Sequence, residues 1–197
     1  GTLNAEGKNV VVIGGGDTAM DCVRTAIRQG AKSVKCLYRR DRDNMPGSQR
    51  EVANAEEEGV EFVWLSAPKA FDGEDAVEKV HVSKMRLGAP DASGRRAPEE
   101  DPEGDFTLNS DMVIMALGFE PEDLPNLFGS PDLNVTRWGT IRADHVTGMT
   151  NLPGVFAVGD IVRGASLVVW AIKDGRDVVE HMHHWMQSHK AKEKVAA

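Results

Sequence analysis

The spacing of apolar positions changes several times along the first third of the chain. Lys8–Ile13 ends in an unbroken β-branched run, the pattern of a buried parallel strand. From Asp17 to Gln29 the residues Ala19, Met20, Val23, Ala26 and Ile27 recur at helical spacing, and Gly30 supplies a stop. Val34–Tyr38 returns to a strand. Together these predict a βαβ unit, two parallel strands joined by a right-handed crossover. Ser48-Gln49-Arg50-Glu51 has the capping-box pattern, with Ser at the N-cap and Glu at N3, and predicts a helix to about Glu58 that Gly59 ends. Val60–Trp64 alternates as a third strand. Val77–Leu87 and Phe106–Asn109 predict a β-ribbon inserted in the sheet's connectivity. Between them Gly88–Gly104, rich in Gly, Pro and acids, reads as a solvent-exposed hairpin tip. Asp111–Leu117 predicts a further buried strand, closed by Gly118.

After about Glu120 proline and turn residues dominate as far as Arg142. A small strand is expected near Gly139–Ala143 and another at Val155–Val158. A long helix is expected from Ser166 to about Gln187, with Val168, Ala171, Ile172, Gly175, Val179, Met182 and Met186 on one face. The last ten residues are expected to fray. The division this suggests is residues 1–120 and 121–197.

Composition narrows the function. The formal net charge of −8 argues against nucleic acid or an anionic membrane as partner. Only two cysteines occur, Cys22 and Cys36, and neither lies in a CxxC, which excludes a disulfide framework, a cysteine zinc site, an iron–sulfur site and a dithiol centre within this chain. Both fall in expected core elements and read as packing residues, which suits a reducing, cytoplasmic location. No apolar run reaches the roughly 18 residues of a membrane helix, and no signal peptide is visible. The chain starts at Gly1 and enters a strand within eight residues, so it is expected to be part of something longer.

The chemistry concentrates at the first turn. Gly14-Gly15-Gly16-Asp17-Thr18-Ala19 fits G-x-G-x-x-A between a strand and a helix. Gly14 permits the tight turn, Gly16 lets a pyrophosphate approach the backbone, and Ala19 lets the helix pack closely on the strand. The helix start offers N–H groups and partial positive charge to phosphates, and Asp17 can cap it. Sites of this kind that bind NAD or FAD carry an Asp or Glu about 20 residues on. Here Arg39 and Arg40 stand 23 and 24 residues after Gly16, with Arg42 behind them. Arginines clamp a 2′-phosphate and cannot accept from a 2′-hydroxyl, so the cofactor expected is NADPH. Downstream, Gly159-Asp160 ends a short strand, where an Asp can accept from a polyol hydroxyl, and Gly164-Ala165-Ser166 opens the long helix.

The stretches "GGGDTAMDC", "YRRDRDNMPGSQREV", "ALGFEPEDLP", "TRWGT" and "VFAVGDIVRGASLVVWAIKDGRDV" together resemble the small (beta) subunits of bacterial NADPH-dependent glutamate synthases, two-dinucleotide-binding flavoprotein reductases. The resemblance runs along nearly the whole chain. It implies that NADPH reduces an FAD on this subunit, and that electrons pass through iron–sulfur clusters to an FMN on a large partner subunit, where glutamate forms. It also implies that residues 14–19, Arg39, Arg40 and Arg42 meet NADPH. Gly118 would lie where the chain crosses between nucleotide domains. Gly159, Asp160, Ala165, Ser166, Leu167 and Val168 would meet FAD. The family's cysteine-rich iron–sulfur domain and its first glycine fingerprint are not in this sequence.

The fold class expected is therefore α/β: a Rossmann-like three-layer parallel sheet with a β-meander crossover, plus the C-terminal part of a second, FAD-binding Rossmann-like domain. Holding half of a flavin site, the chain by itself is expected neither to retain FAD tightly nor to turn over. No residue is assigned as a catalytic acid or base, since hydride transfer needs positioning rather than a proton donor. The alternatives are an electron-input subunit of a related NADPH or ferredoxin flavoprotein complex, and a non-catalytic NADP-binding module. The missing CxxC counts against a thioredoxin reductase-like enzyme. Only His181 and His184 of the late histidines share a helix face, which makes a metal site unexpected. Trp64 and Trp170 read as core or interface aromatics, and homo-oligomerisation stays open.

Overall fold

The β-branched run forms the centre of a parallel sheet. β1 (Asn9–Ile13) is followed by α1 (Asp17–Arg28) and β2 (Ser33–Tyr38), and β2 pairs with β1 in parallel from Asn9↔Ser33 to Ile13↔Leu37. α2 (Gln49–Glu57) leads to β3 (Glu61–Trp64), parallel to β2. The chain then leaves the sheet for an antiparallel ribbon of β4 (Ser66–Asp72), β5 (Lys79–Pro90), β6 (Arg96–Glu100) and β7 (Phe106–Asn109), in which β5 pairs with each of the other three. It returns as β8 (Met112–Met115), parallel to β1, giving the order β3-β2-β1-β8. The computed structural model describes residues 3–90, 94, 96–102 and 104–196, with 190–196 in backbone only.

Strand periodicity of two decides what faces what. On one face Val10, Val12, Val34 and Cys36 pack against Ala19, Met20, Val23 and Ala26 of α1 and Val52 and Ala55 of α2. On the other, Val11, Ile13 and Leu37 pack against Val80 and Val82 of the ribbon. The three layers are thus helices, parallel sheet and antiparallel ribbon; the sequence predicts the inserted ribbon, and the structure shows that it forms the third layer.

The chain divides into two compact units, Gly1–Gly118 and Phe119–Ala197. The second holds α3 (Leu124–Leu127), α4 (Asp160–Arg163) and α5 (Val168–Ala196).

Several expectations need correction. The capping box is not made: Ser48 forms no side-chain cap bond, and its N–H donates to Asp17 Oδ1 at 3.1 Å. Glu51 instead pairs with Arg24 of α1, a charge-assisted contact stronger than a return to its own helix start. The described residues of 88–104 are exposed or half-buried, and they include the end of β5 and all of β6; residues 91–93, 95 and 103 lie outside the described residues. β8 is half-buried rather than buried, because it is an edge strand, and Met115 and Leu117 are largely exposed. The strands expected near 139–143 and 155–158 are reduced to single bridges, Val135↔Ile141, Ala143↔Thr150 and Met149↔Phe156. Glycines 139, 148 and 154 adopt positive φ and turn the chain before a ladder can extend. α5 starts at Val168, not Ser166, and its range extends past the end expected near Gln187, to Ala196. Its apolar stripe of Val168, Ile172, Val179, Met182 and Met186 is 37–73% exposed, whereas Val178 is 7% exposed against Gly148.

Candidate dinucleotide cleft

β1 ends at Ile13, and the chain must turn sharply into α1 beneath the C-terminal edge of the sheet. Gly14 makes that turn at φ +146°, and a Cβ there would sit 2.2 Å from the carbonyl oxygen of Ala116. Gly15 is glycine for another reason: a Cβ would lie 2.3 Å from the Tyr38 ring. Gly16 has extended backbone (φ −92°, ψ 178°), caps α1, and has nothing within 4 Å of where a Cβ would point. Of the three, only Gly16 leaves open space over the backbone. Ala19 is fully buried against the sheet, as close helix packing requires.

A cleft of about 650 Å³ opens over this turn. Its walls are residues 13–16 with Thr18, residues 37–40, Asn44 and Pro46, residues 66–68, and residues 116–118. Of the residues the sequence singled out, Gly14, Gly15, Gly16, Thr18, Arg39, Arg40 and Gly118 are brought together here. Asp17, Ala19 and Arg42 are not. The Arg42 guanidinium is held away, bonded to Glu56 Oε1 at 2.8 Å and Oε2 at 2.9 Å. The two remaining arginines differ. Arg39 is exposed, whereas Arg40 is 9% exposed and its buried Nε has no hydrogen-bond partner in the protein. A buried donor left unpaired costs about 1–3 kcal/mol, and this one belongs to a residue that lines the cleft. No carboxylate stands among the lining residues. An anion fits this cleft and a ribose 2′-hydroxyl finds no acidic acceptor. A glycine turn, a helix start and arginine side chains are the kinds of group that bind phosphates, and the cleft gathers all three.

Sequence reasoning missed two contributors, Leu65 and Asp41, and the contact by which Cys36 acts on the turn. Leu65 joins β3 to β4 at φ +51°, an unfavourable conformation for a leucine, and its N–H donates to Arg40 O at 3.0 Å. It delivers residues 66–68 to the cleft wall. Asp41 Oδ1 accepts from the backbone N–H and side-chain amide of Asn44, shaping the loop after the arginines. Cys36 donates its S–H to Gly14 O at 3.5 Å, and burial pushes its thiol up to about 12, so it supports the turn as an unreactive packing residue.

In the second unit, Gly159 takes φ +75° at the start of α4, and its N–H donates to Asp174 Oδ2 at 3.3 Å. Arg163 closes on the same carboxylate with Nε at 2.5 Å and Nη2 at 2.6 Å, which holds that carboxyl below the usual carboxylate range. Asp160, Ala165, Ser166, Leu167 and Val168 are all exposed. A cavity of about 590 Å³ in this unit is walled by other residues, among them Asp144, Arg163 and Asp174.

The sheet order, the glycine turn and the cleft at the strand ends define an α/β protein of the dinucleotide-binding type. The family pattern described as "Pyridine nucleotide-disulphide oxidoreductase" matches residues 2–175, and the chain belongs to that family. It is 65% identical over 196 residues to the glutamate synthase [NADPH] small chain of Azospirillum brasilense, covering all of this chain and 40% of that protein. It is 46% identical over 171 residues to the NADP(+)-dependent formate dehydrogenase subunit beta of Moorella thermoacetica, covering 86% of this chain and 24% of that one. The chain spans about two fifths of the length of the glutamate synthase small chains it matches. Among solved structures, FprA from Mycobacterium tuberculosis in complex with NADPH superposes with a TM-score of 0.76 at 18% identity, over 97% of this chain and 55% of that one, which establishes the shared fold. No helix among the described residues is long and apolar enough to cross a membrane.

Proposed function

We propose that this chain is the NADPH-binding portion of a glutamate synthase small subunit, and that it presents NADPH to an FAD whose electrons go onward to a glutamate-forming large subunit. The observation that carries the reading is the cleft itself, lined by Arg39 and Arg40 after the end of β2 and by no carboxylate. The 65% identity to a glutamate synthase small chain supports the choice of system.

When bound, NADPH supplies the hydride and FAD accepts it; this chain's part is binding and orientation. The backbone at Gly16 and the start of α1 receive the pyrophosphate. Arg39 reaches the 2′-phosphate from the solvent side, and Arg40 donates to it from within the wall. Gly159, Asp160 and residues 165–168 form the edge offered to the flavin, with Gly159 held by Asp174.

Titration calorimetry with NADPH and with NADH tests this. A charge-assisted contact of about 1.5–3 kcal/mol predicts NADPH binding about ten- to a hundredfold tighter. Replacing both arginines, Arg39→Ala with Arg40→Ala, is expected to bring the two affinities together. Equal affinities in the unaltered protein would refute the phosphate clamp.

The likeness to a formate dehydrogenase beta subunit favours a second reading, in which the same module feeds electrons into a different complex. The large protein that co-purifies with the native subunit distinguishes the two.

A further inference from the structure

We infer that Tyr38 and Asp17 are positioning residues for cofactor discrimination: they lock the arginine-bearing loop, residues 39–48, onto the glycine turn, so that preference for a 2′-phosphorylated dinucleotide depends on contacts remote from the phosphate. This rests on the reading of the cleft given above.

The two arginines open a loop that runs from the end of β2 to the start of α2. Three of its ties run to the end of β2 and to the glycine turn with the start of α1. The Tyr38 hydroxyl donates to Asn44 O at 2.9 Å. The Gly47 N–H donates to Gly15 O at 2.9 Å. The Ser48 N–H donates to Asp17 Oδ1 at 3.1 Å. The loop is therefore fastened near its middle and at its far end, directly to the turn that would receive the pyrophosphate. The contact is close: a Cβ on Gly47 would stand 3.0 Å from Gly15 O.

Two of the ties use side chains. Asp17 does not line the cleft, and Tyr38, which does, turns its hydroxyl to Asn44 while its ring covers Gly15. Phosphate groups common to both dinucleotides rest on the glycine turn and α1, whereas the 2′-phosphate alone rests on the loop. Loosening the loop should weaken one ligand and spare the other.

The test uses the whole chain and calorimetric dissociation constants for NADP+ and NAD+. The variants are Tyr38→Phe, Asp17→Ala, Asp17→Asn and the combination of Tyr38→Phe with Asp17→Ala, each checked for an unchanged circular dichroism spectrum. The combined variant is expected to lose about tenfold of the NADP+ preference, read as the ratio of the two dissociation constants. Asp17→Asn keeps the acceptor oxygen and is expected to keep the preference. Tyr38→Phe keeps the ring and carries the test alone, at about threefold, if the combined variant does not fold. Equal weakening of both dinucleotides, an unchanged preference, or Asp17→Asn behaving like Asp17→Ala overturns the proposal. If the unaltered protein shows no NADP+ preference, it is the reading of the cleft that has failed.

Discussion

Three consecutive glycines answer to three neighbours. Gly14 yields to the Ala116 carbonyl, Gly15 to the Tyr38 ring, and Gly16 to no part of the protein. Alanine at each therefore separates folding from binding. Gly15→Ala is expected to be destabilised by about 1–3 kcal/mol or more through overpacking. Gly16→Ala is expected to unfold within about 1 kcal/mol of the unaltered protein, since Ala is only a poorer cap. Its affinity for NADPH should nevertheless fall at least tenfold. Thermal unfolding and calorimetry on the same two variants check both halves. The sharp turn at Gly14 and the helix start at Gly16 were legible because both are local to the strand–turn–helix, whereas the Ala116 carbonyl over Gly14 was not. The job of Gly15 was not, since it is set by an aromatic 23 residues later, across a strand pairing that one-dimensional spacing does not display. The arginines were legible as a cluster. Only packing divides them into an exposed Arg39, a buried Arg40 and an Arg42 spent on Glu56.

Between elements, the seam of α1 and α2 is a small ionic network. Arg24 pairs with Glu51 and Glu58, and Arg28 pairs with Glu58. Hydrogen bonds from Arg28, then Arg24, hold the Glu58 carboxyl below its ordinary value. A depressed folded value stabilises the fold above the ordinary glutamate value, and that stability is lost as pH falls through the folded one. Glu58→Gln is therefore expected to lower the urea midpoint at pH 7, by a gap that narrows as the pH is taken down below the ordinary glutamate value. A gap that does not change with pH would mean that the pairing is not ionic. Elements with long β-branched or periodic apolar runs, β1, α1, β2, β5 and β8, could be read from sequence because burial imposes their pattern. β4 and β6 could not. Each carries a proline, Pro68 beside a register shift and Pro98 on an outer strand, where the missing N–H is tolerated. The opposite error arose in the second unit, where β-prone residues lacked neighbours long enough to pair.

For the molecule as a whole, every wall of the cleft comes from the first unit. Hydrogen exchange with and without NADPH is expected to show slowed amides at residues 13–18, 37–47 and 116–118 and no change in residues 119–196. Slowing within α5 would contradict that assignment. The apolar stripe of α5 shows where reading at this scale stopped, since helical periodicity announces a face without saying what covers it. The sheet's order carries a consequence for synthesis. β1 sits between β2 and β8, and the whole ribbon is encoded between β3 and β8. At about 5–20 residues per second, a ribosome needs roughly 2–10 s to pass from Trp64 to Met112. Through that interval one edge of β1 has no strand to meet it, and an open edge invites pairing with another chain. Slow codons in the ribbon's stretch of the message should therefore cost more yield than the same codons placed after β8.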